Sequence, residues 1–141
     1  MNIACMAHGK KKELMVQFCK AYKHEFEKHT LFATAATGRL ISDGAGLPVK
    51  LLMSHKQGGH QQINSRIAYD EFDMVILFMD PDLNEPENSG DILETLRNCE
   101  RNNIPLATNL ASAEMLVLSM QRGELDWREL VHSRKKFYET F

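Results

Sequence analysis

The most restrictive feature of this sequence is a run of six consecutive apolar residues, Met74 to Met79. A run in which polar and apolar residues do not alternate is typical of a strand buried on both faces. Such strands occur mainly in parallel sheets that helices cover on both sides. The run therefore predicts a central strand of an α/β protein and disfavours a sheet with one face open to solvent.

Apolar, strand-like segments alternate with segments of helical spacing along the chain. The predicted strands are 2–7, 30–33, 49–53, 74–79 and 104–108, and the predicted helices are 11–26, 38–45, 59–69, 91–102 and 111–121. This alternation predicts a three-layer α/β/α sandwich with a five-stranded, mainly parallel sheet. We assign residues 1–130 to this single domain and residues 131–141 to a C-terminal tail. The polar region 123–141 offers Trp127, Phe137 and Tyr138 as packing anchors.

Composition argues against several functional classes. The formal net charge of -2 argues against broad electrostatic binding to nucleic acid. No apolar run approaches the roughly 18 residues that a membrane span needs. The three cysteines, Cys5, Cys19 and Cys99, form no metal-type or redox-type pair, which favours buried, reduced thiols. We therefore expect a cytoplasmic protein with neither a nucleic-acid nor a membrane partner.

Small, hydroxyl and ionisable residues gather where the predicted strands end. In a parallel sheet, ligands bind beyond the carboxyl ends of the strands. Segment 54–62 is a polar turn with two glycines between a strand and a helix. Glycines let the backbone approach a ligand closely, and the free N–H groups of the next helix suit an anion. This edge of the sheet is the predicted ligand site.

Two threonines and a lysine at this edge suit a phosphate. Thr34 and Thr37 flank small residues just before a predicted helix, where hydroxyl and backbone donors can bind an anion. Helix capping alone would also account for either threonine. Lys12 lies early in the helix after the first strand, where it can reach an anion or can simply be solvated.

Two histidines and an aspartate at the same edge suit proton transfer. His8 ends the first strand, and His60 opens a helix where a general base could stand. Asp80 ends the most apolar strand, where it serves the site or accepts backbone hydrogen bonds from the next loop. His8, His60 and Asp80 lack tight metal-ligand spacing, so we expect no metal. His24, His29 and His132 have no comparable placement and are expected at the surface.

The strand-end residues, in this order, resemble those of methylglyoxal synthase from Asn2 to about Leu130. The pieces that carry the resemblance are 3–8 (IACMAH), 33–38 (ATAATG), 58–62 (GGHQQ), 80–81 (DP), 103–109 (NIPLATN) and 126–128 (DWR). The resemblance implies a three-layer domain that assembles as a homohexamer. It implies a lyase that acts on dihydroxyacetone phosphate without cofactor or metal. The same fold also serves as a regulatory ligand-binding domain in carbamoyl-phosphate synthetase, so fold alone does not fix activity.

Carried over residue by residue, the resemblance assigns two groups of site residues. The substrate and phosphate group consists of His8, Lys12, Thr34, Ala35, Ala36, Thr37, Ser54 and His55. The catalytic group consists of His60, Asp80, His8, Asp91 and Glu87.

Several site positions depart from the family pattern. His60 stands where the family has its catalytic aspartate, and Glu87 stands where it has a histidine. Gly9, Ala36 and His55 replace an aspartate, a threonine and a glycine. In one interpretation His60 is the base and Glu87 supplies the acid, which reverses the family's roles.

In the other interpretation the site no longer catalyses and retains a phosphate ligand, as a sensor or an enzyme of changed specificity. We take the methylglyoxal synthase-type lyase, with altered activity, as the first hypothesis.

Overall fold

The computed structural model describes residues 1–82 and 86–132, without the side chains of residues 55 and 86–90. The strands are β1 (Asn2–Ala7), β2 (Thr30–Thr34), β3 (Val49–Leu52), β4 (Met74–Phe78) and β5 (Leu106–Ala107). The helices are α1 (Lys11–Ala21), α2 (Lys23–Phe26), α3 (Ala35–Ala45), α4 (Gly59–Ala68), α5 (Pro86–Arg101) and α6 (Leu110–Gln121). A short 3₁₀ turn covers His55–Gln57, and residues 127–132 are also helical.

The five strands form one sheet in the order β3-β2-β1-β4-β5, and every pair is parallel. All five residues of β4 are buried, which confirms the prediction from the apolar run. The chain extends the sheet to one side through β2 and β3, then crosses back to place β4 beside β1. The α/β class and the parallel sheet are therefore confirmed.

Two hydrophobic cores lie on opposite faces of the sheet. Helices α1, α3 and α6 pack on one face, where Phe18, Ile41 and Val117 are buried. Helices α4 and α5 pack on the other face, where Ile67 and Cys99 are buried. This arrangement is the three-layer sandwich that the alternation predicted. All three cysteines are buried and free, as expected.

Some element boundaries differ from the prediction. Helix α3 begins at Ala35 and not at residue 38, because the two alanines favour helix and Thr34 adopts an extended N-cap conformation. Helix α5 begins at Pro86 and not at residue 91, since proline suits the first position of a helix. The predicted helix 11–26 is interrupted at Tyr22, where φ is -107° and ψ is 24°.

The C-terminal region differs more. Trp127, an expected packing anchor, is 49% exposed, whereas the neighbouring Arg128 is 3% exposed and forms ion pairs. His24 is exposed, as expected, whereas His29 and His132 are half-buried and each pairs with a carboxylate. The division between domain and tail at residue 130 stays a prediction, and residues 133–141, with Phe137 and Tyr138, lie outside the described part of the chain.

Candidate functional site

The registers of the strands align their carboxyl ends at one edge of the sheet. Ala7 of β1 lies opposite Phe78 of β4, and Thr34 of β2 lies opposite Leu52 of β3. The backbone N–H of His8 donates to the Phe78 carbonyl at 3.0 Å, which continues the pairing one residue further. The residues that follow these four strands therefore lie along a common edge, as the sequence predicts.

Two imidazole rings meet at this edge. The rings of His8 and His60 are stacked, with centroids 5.3 Å apart and planes inclined by 27°. His8 follows β1, and His60 lies in the first turn of α4 with 8% of its surface exposed. Two side chains separated by about fifty residues in the sequence thus form one unit. A stacked pair of this kind disfavours a state in which both rings carry a positive charge, because like charges repel at this distance.

The glycines before His60 allow this placement. Gly58 has φ of +95°, a left-handed conformation that favours glycine. A Cβ on Gly59 would lie 2.9 Å from Thr34 Cγ2 and 3.0 Å from the Ser54 carbonyl oxygen, and it would also clash with the Met53 carbonyl oxygen. The start of α4 can therefore pack directly against the ends of β2 and β3 only because residue 59 has no side chain.

The start of α3 presents the predicted anion-binding groups. Thr34 is the N-cap residue, and its side chain makes no capping hydrogen bond. Helix capping, the alternative interpretation of this threonine, is therefore not how its hydroxyl is used. Ala35, Ala36 and Thr37 lie in the first turn of α3, where backbone N–H groups have no acceptor within the helix. Thr37 is buried, so its side chain also packs into the core.

The remaining phosphate candidates lie on neighbouring segments. Ser54 follows β3, and its hydroxyl donates to Gln57 Oε1 at 3.1 Å. Lys12 lies in the first turn of α1, close in sequence to His8. His55 begins the short 3₁₀ turn, but its side chain lies outside the described part of the structure.

Asp80 binds the loop between β1 and α1. Its Oδ1 accepts from the Asp82 N–H at 3.0 Å, and its Oδ2 accepts from the Lys10 N–H at 3.3 Å. The hydrogen bond from Asp82, the one from Lys10 and the charges of Lys10 and Lys11 hold the pKa of this carboxyl below its ordinary value. Asp80 is therefore an anion that fixes the backbone just after His8, which is the structural alternative that its position left open.

The two acidic candidates after β4 lie on α5. The backbone carbonyl of Asp91 accepts from Asn64 Nδ2 at 3.2 Å, and Asn64 lies one turn after His60 on α4. The start of α5 is thus brought beside the start of α4. Glu87 lies in the first turn of α5, but its side chain lies outside the described residues.

Two residues that connect the site were missed by sequence reasoning. Gln62 Oε1 accepts from the Met53 N–H at 2.8 Å and so ties α4 to the end of β3. Asn64 is buried and bonds both Asp91 and Thr95 of α5. The signal that could have identified Asn64 is a polar residue four positions after His60, on the buried face of an amphipathic helix.

Among the residues that the structure describes, no three His, Cys, Asp or Glu side chains are grouped as metal ligands would be. His8, His60 and Asp80 accordingly form no such group. Within the same described residues, no helix is long and apolar enough to cross a membrane.

Comparison with known proteins places this geometry in a family. The family model described as the MGS-like domain matches residues 14–108. A methylglyoxal synthase of Caldicellulosiruptor saccharolyticus is 52% identical over 134 residues, which cover 95% of this chain and 94% of that protein. One from Oceanobacillus iheyensis is 45% identical over 136 residues, or 96% of each chain.

A solved structure is also similar. The crystal structure of methylglyoxal synthase from Elizabethkingia anophelis matches with a TM-score of 0.73 and 36% identity. The match covers 82% of this chain and 76% of that one. The chain therefore belongs to the methylglyoxal synthase family, that of the MGS-like domain.

Proposed function

We propose that this protein is a methylglyoxal synthase, a carbon–oxygen lyase that converts dihydroxyacetone phosphate into methylglyoxal and inorganic phosphate. The observation that carries the proposal is the stacked pair of His60 and His8 at the strand edge that also holds the start of α3. This arrangement sets a base and a proton donor beside an anion site. The names of the relatives support the same reaction.

The phosphate of the substrate binds at the start of α3. Thr34, Ser54 and the backbone N–H groups of Ala35 and Ala36 supply donors, and Lys12 supplies a positive charge. The buried Thr37 shapes this turn. His55 lies next to Ser54 and borders the same subsite. Fixing the phosphate here orients the carbonyl and hydroxymethyl carbons of the substrate toward the two imidazoles.

His60 removes a proton from the hydroxymethyl carbon next to the carbonyl. Imidazole is a competent base at neutral pH because its ordinary pKa is about 6.5. The electron pair of the broken C–H bond forms an enediolate, whose oxygen accepts a hydrogen bond from His8. Because the rings are stacked, His8 stays neutral while His60 carries the new positive charge.

The enediolate then expels phosphate from the third carbon of the substrate, the one that carries the phosphate ester. The C–O bond breaks with its electron pair on the phosphate, and the remaining enol of methylglyoxal takes up a proton at carbon to give the product. Asp91 and Glu87 assist these proton transfers from the start of α5. Asp80 acts at a distance by holding the backbone beside His8.

We further propose that the enzyme works without a cofactor, as a cytoplasmic homo-oligomer that the family resemblance indicates is a hexamer. Its partner is a small phosphorylated metabolite, with no role for nucleic acid or membrane.

The proposal is tested by turnover of dihydroxyacetone phosphate with methylglyoxal and phosphate measured together. His60→Ala is expected to lower kcat about 100- to 10,000-fold, the usual contribution of a general base. His60→Asp, which restores the family residue, retains measurable turnover. His24→Ala, an exposed histidine on α2, serves as the matched control and keeps wild-type rates.

Release of phosphate without methylglyoxal, or no release above the spontaneous rate, would contradict the proposal. The second outcome would instead favour a binding protein that retains a phosphate ester unchanged.

A further inference from the structure

Helices α4 and α5 are joined by a buried polar contact one turn from His60. The Thr95 hydroxyl donates to Asn64 Oδ1 at 2.6 Å, and Asn64 Nδ2 donates to the Asp91 carbonyl at 3.2 Å. Asn64 and Thr95 are both buried. A buried amide is costly unless its donors and acceptors find partners, and these partners lie on the other helix. The contact therefore fixes the relative position of the two helices.

The hydrogen bonds between the helices follow the same chain direction on both sides. Asn64 bonds Asp91, and toward the other end of α4 the Ile67 carbonyl accepts from Asn102 at 2.9 Å. The two helices thus run in the same direction, and both begin at the carboxyl edge of the sheet. One turn back from Asn64 is His60, and one turn back from Asp91 is position 87. The register set by Asn64 brings the start of α5 level with the proposed base.

We propose that Asn64 is a positioning residue for proton transfer, which holds the start of α5 and Asp91 in place beside His60. The inference rests on the proposed function, since it assigns Asn64 to the same site. Asn64 touches no reacting atom and acts through the distance between α4 and α5. Since a displacement of about 1 Å can cost about 100-fold in rate, one interhelical contact is enough to control the chemistry.

The chain offers a matched control at the far end of the same helix pair. Asn102 Nδ2 donates to the carbonyls of Ile67 and Ala68, at 2.9 and 3.3 Å. Asn64→Ala therefore removes two hydrogen bonds between α4 and α5. Asn102→Ala removes two between α4 and the residue that follows α5, together with one to the Asn98 carbonyl within its own segment. Only the first removal lies beside the site.

The test compares steady-state kinetics of the two variants in the full-length protein. Asn64→Ala is expected to lower kcat about 10- to 100-fold with KM for dihydroxyacetone phosphate changed less than about 2-fold. Asn102→Ala keeps wild-type kcat. Thr95→Val removes only the hydroxyl at nearly constant volume. It is expected to lower kcat less than Asn64→Ala does and to leave KM unchanged. If Asn64→Ala does not fold, Thr95→Val takes its place in the comparison.

A second measurement does not depend on turnover. Titration calorimetry follows binding of inorganic phosphate and of 2-phosphoglycolate, whose carboxylate mimics an enediolate beside the phosphate ester. Asn64→Ala is expected to weaken the binding of 2-phosphoglycolate and to leave the binding of inorganic phosphate unchanged, because the phosphate subsite lies on α3 and β3. Equal effects of Asn64→Ala and Asn102→Ala on kcat or on binding would overturn the inference. A wild-type protein that shows no turnover refutes the proposed function, and the binding comparison then decides the role of Asn64 separately.

Discussion

The buried side chain of Arg128 holds the C-terminal helical residues against the sheet, and its replacement is the prediction that tests the fold most directly. Its guanidinium is 3% exposed and lies between two carboxylates, with Nη2 3.1 Å from Asp70 Oδ1 and Nε 3.7 Å from Asp73 Oδ1. It also donates to the backbone carbonyls of Phe72 and Asn103. Arg128 thus ties the helical residues 127–132 to the amino ends of β4 and β5.

Replacing Arg128 by methionine keeps much of the side-chain volume but removes the positive charge that lies between the two carboxylates. Breaking a buried ion pair from one side costs about 3–5 kcal/mol. Because Asp70 is partly exposed and His132 lies 3.0 Å from its Oδ2, we expect the lower end of that range, about 3 kcal/mol. A loss of this size corresponds to a fall of about 10 °C in Tm for a chain of this length.

The assay is urea unfolding of wild type and Arg128→Met at one protein concentration, followed by circular dichroism. Arg122→Met is the matched control, because Arg122 pairs with Glu124 at 2.9 Å but is exposed, and screening leaves such pairs with little effect. Equal shifts of the unfolding midpoint in the two variants would refute the buried ion-pair argument. Turnover per folded molecule should not change in either, because this cluster lies at the edge of the sheet opposite the site.

Three further predictions concern the site, acid stability and the thiols. Gly59→Ala should abolish phosphate binding by calorimetry, because the new Cβ would clash with backbone oxygens and with Thr34; unchanged binding would contradict the close packing of α4. Burial raises the pKa of Glu25, but hydrogen bonds from the neighbouring histidine and lysine outweigh it and lower the pKa from its ordinary value of 4.5. This stabilisation is complete above the unfolded-state pKa and is lost as the pH falls through the lower folded-state pKa. Urea titrations should therefore show a difference in unfolding free energy between wild type and Glu25→Gln at about pH 7 that shrinks as the pH is lowered below 4.5. Burial raises the pKa of Cys99 to about 12, and the other two cysteines are also buried, so a thiol reagent should label the protein no faster than it unfolds.

The sequence predicted the fold well because the fold depends on local patterns. The apolar run at β4 and the alternation of strands and helices appear in the sequence as hydrophobic periodicity. They can therefore be predicted without knowing any contact between distant segments. The edge that gathers His8, Thr34 and His60 follows from the rule for parallel sheets, and the structure brings His8 and His60 into one stacked pair.

What the sequence did not predict depends on contacts between distant segments. An arginine beside Trp127 in a polar region is expected to be solvated. Arg128 is instead buried, because the fold brings Asp70 and Asp73 next to it. The sequence alone does not distinguish Asn64 from the other polar residues of α4, because its hydrogen-bond partner lies on α5. Polar residues of this kind have no periodic signature, because their partners come from another element.

The sheet order divides the proposed chemistry between two faces. The residues proposed to bind phosphate on α1 and α3 belong to one face of the sheet. His60 and Asp91 come from α4 and α5, which pack on the other face. The faces meet at the ends of β1 and β4, where the order β3-β2-β1-β4-β5 changes direction and such folds bind ligands. Substitutions on the first face should therefore act mainly on KM and those on the second mainly on kcat. His8, at the end of β1, is where the two halves meet, and His8→Ala should alter both constants.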